Sequence, residues 1–313
     1  MEDHTELLVR AASLYYNENL NQSEIADILG TSRPTVSRLL EEAKKVGVVE
    51  IIVHDPIKKD AVLSRLIREK FNLRDAIIIN GRYDYDKSIQ RCCEAAVQLF
   101  NTVIKNNSTV GITWGTVPSI LSNMLENEQY HNIHVVQMVG CLGTGNPNVD
   151  GLELAIRMAK KLNGTYSNIY SPIFVKSREV HDYMVAEPQI AATLKKAYHT
   201  DVFLTGIGSM DSNTLIQRAG YWSDSDRTTL VENGAVGHLL ARAFDINGNP
   251  VNSDGWYVVG SPLEATKNAE WSIGVAADEF KAEAALGAIR GGYINVLIAD
   301  ELLADKLLEL AAE

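Results

Sequence analysis

The chain has 313 residues, 46% of them hydrophobic and 22% charged, which excludes a generally disordered polypeptide and leaves room for two domains. Its net charge of −11 speaks against a protein that coats nucleic acid nonspecifically. No apolar run reaches the ~18–20 residues a membrane span needs, and the acidic start Met1-Glu2-Asp3-His4 lacks the pattern of an export signal, so a cytoplasmic location is expected.

The first fifty residues read as three helices and a strand. Leu7, Leu8, Ala11, Leu14 and Tyr15 follow the spacing of a buried helical face. Asn21 followed three residues later by Glu24 is a capping-box pattern opening a short helix, and Gly30 is placed to end it. Ser32 can cap a third helix with Pro34 in its first turn, where a missing N–H costs nothing. Val36, Leu39, Leu40 and Ala43 form its apolar stripe, Gly47 ends it, and Val48 to Val53 reads as a strand. Residues 31–45 carry Arg33, Arg38, Lys44 and Lys45 against Glu41 and Glu42, a local +2 on a chain whose remainder is −13.

Two short helices joined by a glycine turn match a helix-turn-helix, whose second helix lies in the major groove of double-stranded DNA. Ser32, Arg33, Thr35, Ser37 and Arg38 are then the base-facing or phosphate-facing positions, since arginine pairs with guanine through two hydrogen bonds. Gln22 and Ser23, at the start of the preceding helix, are placed to meet the DNA backbone. The strand from Val48 to His54 would be a wing. The alternative is a bundle used for dimerisation, with both arginines as solvated charges.

Asp55-Pro56 breaks the pattern, and Leu63, Leu66, Ile67 and Phe71 predict an amphipathic helix over 60–71. Residues 55–72 therefore read as a linker between a DNA-binding domain at 1–54 and a larger domain at 73–313. In the latter, apolar runs at 76–79, 109–112, 133–139, 202–205, 272–275 and 295–298 alternate with helical stretches at 86–105, 117–127, 150–162, 279–289 and 300–312. That alternation predicts an α/β fold around a mostly parallel sheet. Residues 236–244 followed by Asp245-Ile246-Asn247-Gly248 read as a strand and a tight turn.

Ala11-Ala12-Ser13-Leu14-Tyr15-Tyr16, Asn21-Gln22-Ser23-Glu24-Ile25-Ala26 and the run from Ser32 to Leu40 resemble the opening of the SorC family of sugar-responsive transcriptional regulators. Gly111-Ile112-Thr113-Trp114-Gly115, Gly206-Ile207-Gly208, Gly234-Ala235-Val236-Gly237, Phe244-Asp245-Ile246-Asn247-Gly248 and the block from Gly291 to Ile298 are similar to further blocks of that family in their usual order. The resemblance implies a winged-helix-type DNA-binding domain and a sugar-phosphate-binding domain whose fold is similar to glucosamine-phosphate deaminases and ribose-phosphate isomerases. It also implies a homotetramer whose affinity for operator DNA changes when a phosphorylated sugar or polyol binds, with the helix at 60–71 as transmitter.

A phosphate needs several N–H donors and little bulk, so Thr113-Trp114-Gly115-Thr116 before a helix is the first candidate effector loop. Gly140 and Cys141 belong to a second candidate loop, and Asn148 and Asp150 serve equally as helix caps or as partners for sugar hydroxyls. Gly206 and Gly208 follow a strand, where ligands of open α/β sheets sit. Lys281 resembles a family lysine close to the effector. His238 departs from the family, many of whose members carry an aspartate after Gly-Ala-Val-Gly. Val139 stands where some relatives carry a lysine able to capture an aldehyde, so noncovalent binding is expected. Trp222, Trp256 and Trp271 read as sugar-stacking rings or as core.

Cys92, Cys93 and Cys141 cannot make a disulfide framework, and with neither Cys-x-x-Cys nor His-x-x-x-His spacing no metal or other cofactor is expected. The rival reading is a sugar-phosphate isomerase or deaminase, for which Lys281, His238 and Asp150 are conceivable groups without a compact catalytic motif.

Overall fold

A computed structural model describes residues 4–50, 57–126, 130–211, 214–252 and 255–312. The chain divides into two compact units, Met1–Pro56 and Ile57–Glu313.

The first unit consists of α1 (His4–Tyr16), α2 (Gln22–Leu29) and α3 (Arg33–Lys45). The Asn21 side chain accepts from the N–H groups of Ser23 and Glu24, and the Glu24 carboxylate accepts from the Asn21 N–H at 2.8 Å, closing the capping box. Gly30 ends α2 at φ 62°, and Ser32 caps α3 ahead of Pro34. Leu8, Ala11, Ala12, Leu39 and Ala43 form one buried cluster and Ile25, Ala26, Val36 and Leu40 another, so the apolar stripes of all three helices meet inside. Residues 51–54 of the expected wing lie outside the described residues, and 48–50 carry no strand.

The second unit opens with α4 (Ala61–Lys70), followed by β1 (Asp75–Ile79), α5 (Tyr85–Val103), β2 (Thr109–Ile112), α6 (Thr116–Met124), β3 (His134–Gln137), α7 (Gly151–Lys161) and β4 (Thr165–Ser167). It continues with β5 (Phe174–Val175), α8 (Arg178–Ala186), α9 (Pro188–Ala197), β6 (Val202–Gly206), β7 (Gly208–Ser209), α10 (Leu215–Arg218) and α11 (Asp224–Glu232). The last elements are β8 (Ala235–Leu239), β9 (Arg242–Asp245), β10 (Pro250–Val251), β11 (Tyr257–Val258), β12 (Trp271–Val275), α12 (Ala282–Arg290), β13 (Val296–Asp300) and α13 (Glu301–Leu310).

Among the described residues, seven parallel strands form the main sheet in the order β1-β13-β12-β6-β2-β3-β4. Apart from the edge strand β4, its strands are buried on both faces, which explains their nearly continuous apolar runs. Ala76, Ile78, Phe203 and Leu297 face the layer that includes α4, α12 and α13. Ile77, Ile79, Leu204 and Ile298 face α5, α6 and α7. The alternation follows from the two-residue period of a strand.

The helix expected to link two domains is part of the second unit instead. Asp60 caps α4 and donates its own N–H to the Ile78 carbonyl at 2.8 Å, while Ile67 is fully buried in the layer under the sheet. The amphipathic pattern was real, but its apolar side is covered by β1 and α13. The single strand expected over 236–244 is a hairpin. β8 and β9 pair antiparallel, with Leu239 opposite Arg242, and turn through Leu240 and Ala241 at φ 49° and 59°. That two-residue turn has left-handed residues at both centres without the usual glycine or asparagine, so periodicity hid it. A second turn at Asn247-Gly248 leads into β10, so β10-β9-β8-β7 form a smaller antiparallel sheet at the carboxyl end of β6.

Candidate functional site

In the first unit, α3 turns Val36, Leu39 and Leu40 inward and leaves Arg33 and Arg38 exposed. Neither arginine forms an ion pair with a described residue, so both guanidinium groups are free to meet an external acceptor. Thr35 and Ser37 are half-buried, and the Thr35 hydroxyl lies 2.9 Å from that of Ser32, the cap. Gln22 and Ser23 join Arg33 around one open depression of about 710 Å3, which Tyr15, Tyr16 and Asn21 also line. A helix N-terminus and a cation facing one concavity suit a phosphate. Sequence spacing missed the two tyrosines because it assigned Tyr15 only to the buried face of α1.

In the second unit, a cavity of about 320 Å3 opens at the carboxyl ends of β2 and β6. Open parallel sheets place ligands there because the loops that follow neighbouring strands diverge. Thr113, Trp114, Gly115 and Thr116 form one wall and Gly206 and Gly208 another, while His238 comes from β8 and Lys281 from the turn before α12. The structure thus assembles eight of the twelve expected effector residues around one space.

At the α6 end of this cavity the helix has no side-chain cap. Asp84, Asp150 and Asp300 cap α5, α7 and α13 with their side chains, but α6 starts at Gly115, which has none to offer. Gly115 takes φ 119°, a conformation that a β-carbon would strain. Its own N–H is committed to the Val149 carbonyl at 3.0 Å, and Pro118 has no N–H, so the open donors of the first turn are those of Thr116 and Val117. Beside them the buried hydroxyls of Thr113 and Thr205 lie 3.3 Å apart.

Lys281 supplies a half-buried cation. Its Nζ donates to the Ile207 carbonyl at 3.2 Å, and burial lowers its pKa to about 8 against a weak opposing pull from Asp211. Asp278, held at φ 74° with its N–H donating to Asp300 at 2.9 Å, turns the chain just ahead of it. His238 lies almost flat against Trp114, with ring centres 6.1 Å apart and planes 20° apart, and meets the edge of Trp222 at 5.4 Å. Burial first, and the Lys281 charge second, push its pKa down to about 3, so the imidazole is neutral. Residue 208 must be glycine, because a β-carbon there would overlap the imidazole of His238.

Gly140, Cys141, Asn148 and Asp150 do not line the cavity. A β-carbon on Gly140 would press on the Ser171 and Pro172 carbonyls, and the Cys141 thiol sits 3.6 Å from the Ile169 carbonyl with its pKa raised, chiefly by burial. Asn148 accepts from Arg157 at 3.2 Å, while Asp150 caps α7 and accepts from the Gly143 N–H at 2.8 Å. Their polar atoms hold loops together. Trp222 is buried behind His238, Trp256 packs on Phe174, and Trp271 lies under the Arg74 guanidinium at 4.1 Å; none of the three lines the cavity. Tyr85, Thr205, Ser209, Thr214, Leu215 and Arg218 line it without having been singled out. Among the described residues, no group of three or more His, Cys, Asp or Glu side chains could hold a metal, and no helix is long and apolar enough to cross a membrane.

Residues 55–309 match the family described as "Putative sugar-binding domain", and residues 7–58 match a Crp-like helix-turn-helix domain. The chain is 31% identical over 309 residues to "Uncharacterized transcriptional regulator YjhU" of Escherichia coli K12, covering 96% of this chain and 94% of the relative. It is 28% identical over 298 residues to the deoxyribonucleoside regulator of Bacillus subtilis, covering 95% of each. The crystal structure of the full-length sorbitol operon regulator SorC from Klebsiella pneumoniae has the same fold, with a TM-score of 0.74, 23% identity and coverage of 98% of this chain and 100% of that one.

Proposed function

We propose that this chain, which belongs to the SorC family of sugar-binding transcriptional regulators, binds a phosphorylated sugar or polyol noncovalently in the cavity at β2 and β6 and thereby changes its affinity for operator DNA. It is a DNA-binding transcriptional regulator with a sugar-binding domain, not an enzyme.

The observation that carries the phosphate is the pairing, in one cavity, of an α6 terminus without a side-chain cap and the Lys281 ammonium. A helix N-terminus favours an anion through its free N–H groups and its dipole. Burial makes Lys281 costly to keep charged, and a bound dianion offsets that cost. The threonine hydroxyls of 113 and 205 and the neutral imidazole of His238 are suited to sugar hydroxyls.

A thermal-shift panel of pentoses, hexoses and hexitols, each free and phosphorylated, tests this reading. Phosphorylated members are expected to stabilise the protein by a larger margin than their free counterparts. Equal shifts for both forms would remove the phosphate from the proposal. Fluorescence anisotropy on a duplex selected from random sequences, with and without the stabilising ligand, tests the coupling, which unchanged affinity would defeat.

For the DNA side, α3 enters the major groove with Arg33 and Arg38 reaching base edges or phosphates. Arg38→Met is expected to weaken binding to the selected duplex by about 10–100-fold, the value of one good arginine–base contact. Its exposed position leaves folding intact, so an unchanged melting temperature with unchanged DNA affinity would count against that placement. We place the protein in the cytoplasm as a homotetramer, in which effector binding favours one arrangement of the DNA-reading heads. Analytical ultracentrifugation of the free protein would show four copies per particle.

A further inference from the structure

A second cavity, of about 210 Å3, is bounded by α8, the β8–β9 hairpin, β10 and β11. It is lined by Trp222, Trp256, Tyr257, His181, Val251 and Arg242, among others. Among the described residues, no carboxylate belongs to that lining.

Arg242 donates to the carbonyls of Leu240, Val258, Gly260 and Ser261 at 2.6–3.3 Å. These bonds satisfy much of its hydrogen-bonding capacity, and among the described residues no carboxylate lies within ion-pairing distance, Glu264 acting on it only from farther away. Burial lowers its pKa only to about 10, so the group is charged at neutral pH. A second cation, Lys176, lies 4.7 Å from the ring centre of Trp256. Trp256 is held from behind by Phe174 and Tyr221, with ring centres at 5.7 and 5.9 Å, and donates to Asp226. The ring walls are therefore held in place.

We propose that this cavity is an accessory binding site for a small organic carboxylate carried on a flat apolar ring. Flat aromatic walls reward ring stacking, by about 0.5–1.5 kcal/mol per pair beyond area burial. A half-buried cation with no carboxylate in direct contact rewards a single negative charge. Phosphate fits less well, because it needs many donors and the guanidinium donors here are largely spent. The occupant would touch Trp222, whose edge meets His238 at the wall of the effector cavity, so both ligands would bear on one aromatic pair.

Ligand-observed fluorine NMR on the full-length protein, with 4-fluorobenzoate and 4-fluorobenzyl alcohol as probes, provides the test. The carboxylate is expected to bind at one site at least about tenfold more tightly than the alcohol, the effect of one charge-assisted contact. Binding should disappear in Val251→Phe, which fills the space without removing a wall, and in Trp256→Ala, while Lys281→Met retains it. Circular dichroism of each variant separates loss of the site from loss of the fold. Equal affinity for the two probes, no binding at millimolar concentration, or loss of binding only in Lys281→Met would each overturn the proposal. The last outcome would place the probe in the effector cavity, and it would leave the reading of that cavity standing.

Discussion

Lys281→Met is expected to stabilise the ligand-free protein and to abolish its response to a phosphorylated ligand. The lysine titrates at about 8 in the folded chain against 10.5 in the reference state, because burial disfavours its charge. That difference corresponds to a cost of about 3 kcal/mol, present in full below pH 8. Methionine removes it, while the lost charge-assisted hydrogen bond to the Ile207 carbonyl returns about 1.5 kcal/mol of penalty. The net gain is about 1–2 kcal/mol, measurable as a shift in urea midpoint without a change in slope.

The sign of the pH dependence follows from proton counting. Between pH 8 and 10.5 the unfolded chain binds more protons at this position than the folded one, so this group makes stability rise with pH across that window. The rise should be smaller in Lys281→Met, and subtracting the two stability curves isolates it from other titrating groups. Ligand binding should run the opposite way. A phosphate prefers the charged lysine, so affinity should fall as pH rises above about 8 in the wild type, with little such fall in the variant. Loss of the charge should weaken phosphate binding by about 100-fold or more. A less stable variant, or one that keeps full affinity, would show that Lys281 is an ordinary solvated side chain.

Arg242→Met should have the opposite effect on stability, although burial lowers its pKa too. The number of hydrogen bonds decides the sign. Lys281 makes one contact to a carbonyl, whereas Arg242 makes four, tying the β8–β9 turn to residues 258–261. Bonds to a charged donor contribute about 1.5–3 kcal/mol each, which exceeds a desolvation cost of about 3 kcal/mol. The expected loss is about 3 kcal/mol, read from urea unfolding. Amide exchange should accelerate first around the hairpin turn and residues 258–261, since their mutual anchor is gone. A neutral or stabilising result would mean that the guanidinium is a net burden in this fold.

Much of the architecture was legible because its determinants are local. Asn21 with Glu24, Ser32 with Pro34, and Asp150 are caps that act within a few residues of themselves, and each performs that role in the structure. The buried parallel strands β1, β2, β6, β12 and β13 announced themselves as short apolar runs, since both faces of the sheet are covered. The helices α8, α9, α10 and α11 were not legible. α10 has only four residues and α11 buries only Leu230, so neither shows the apolar periodicity from which helices are read. The strand expected through Val139 stops at Gln137, and Val139 instead makes an isolated bridge to Gly260, a partner that spacing does not reveal.

The sequence by itself determined the helix starts, the parallel sheet, the exposed arginines of α3 and the loop from Thr113 to Thr116, because capping and periodicity are short-range effects. Only the tertiary structure decided that His238 and Lys281 meet that loop while Cys141, Asn148 and Asp150 do not, and that α4 belongs to the second unit. It also decided that Arg242 is a half-buried clamp on the carbonyls of the β8–β9 turn and residues 258–261. A cavity wall and a desolvated cation are products of distant segments packing together, and their energies depend on which water is excluded, a quantity that no local pattern carries.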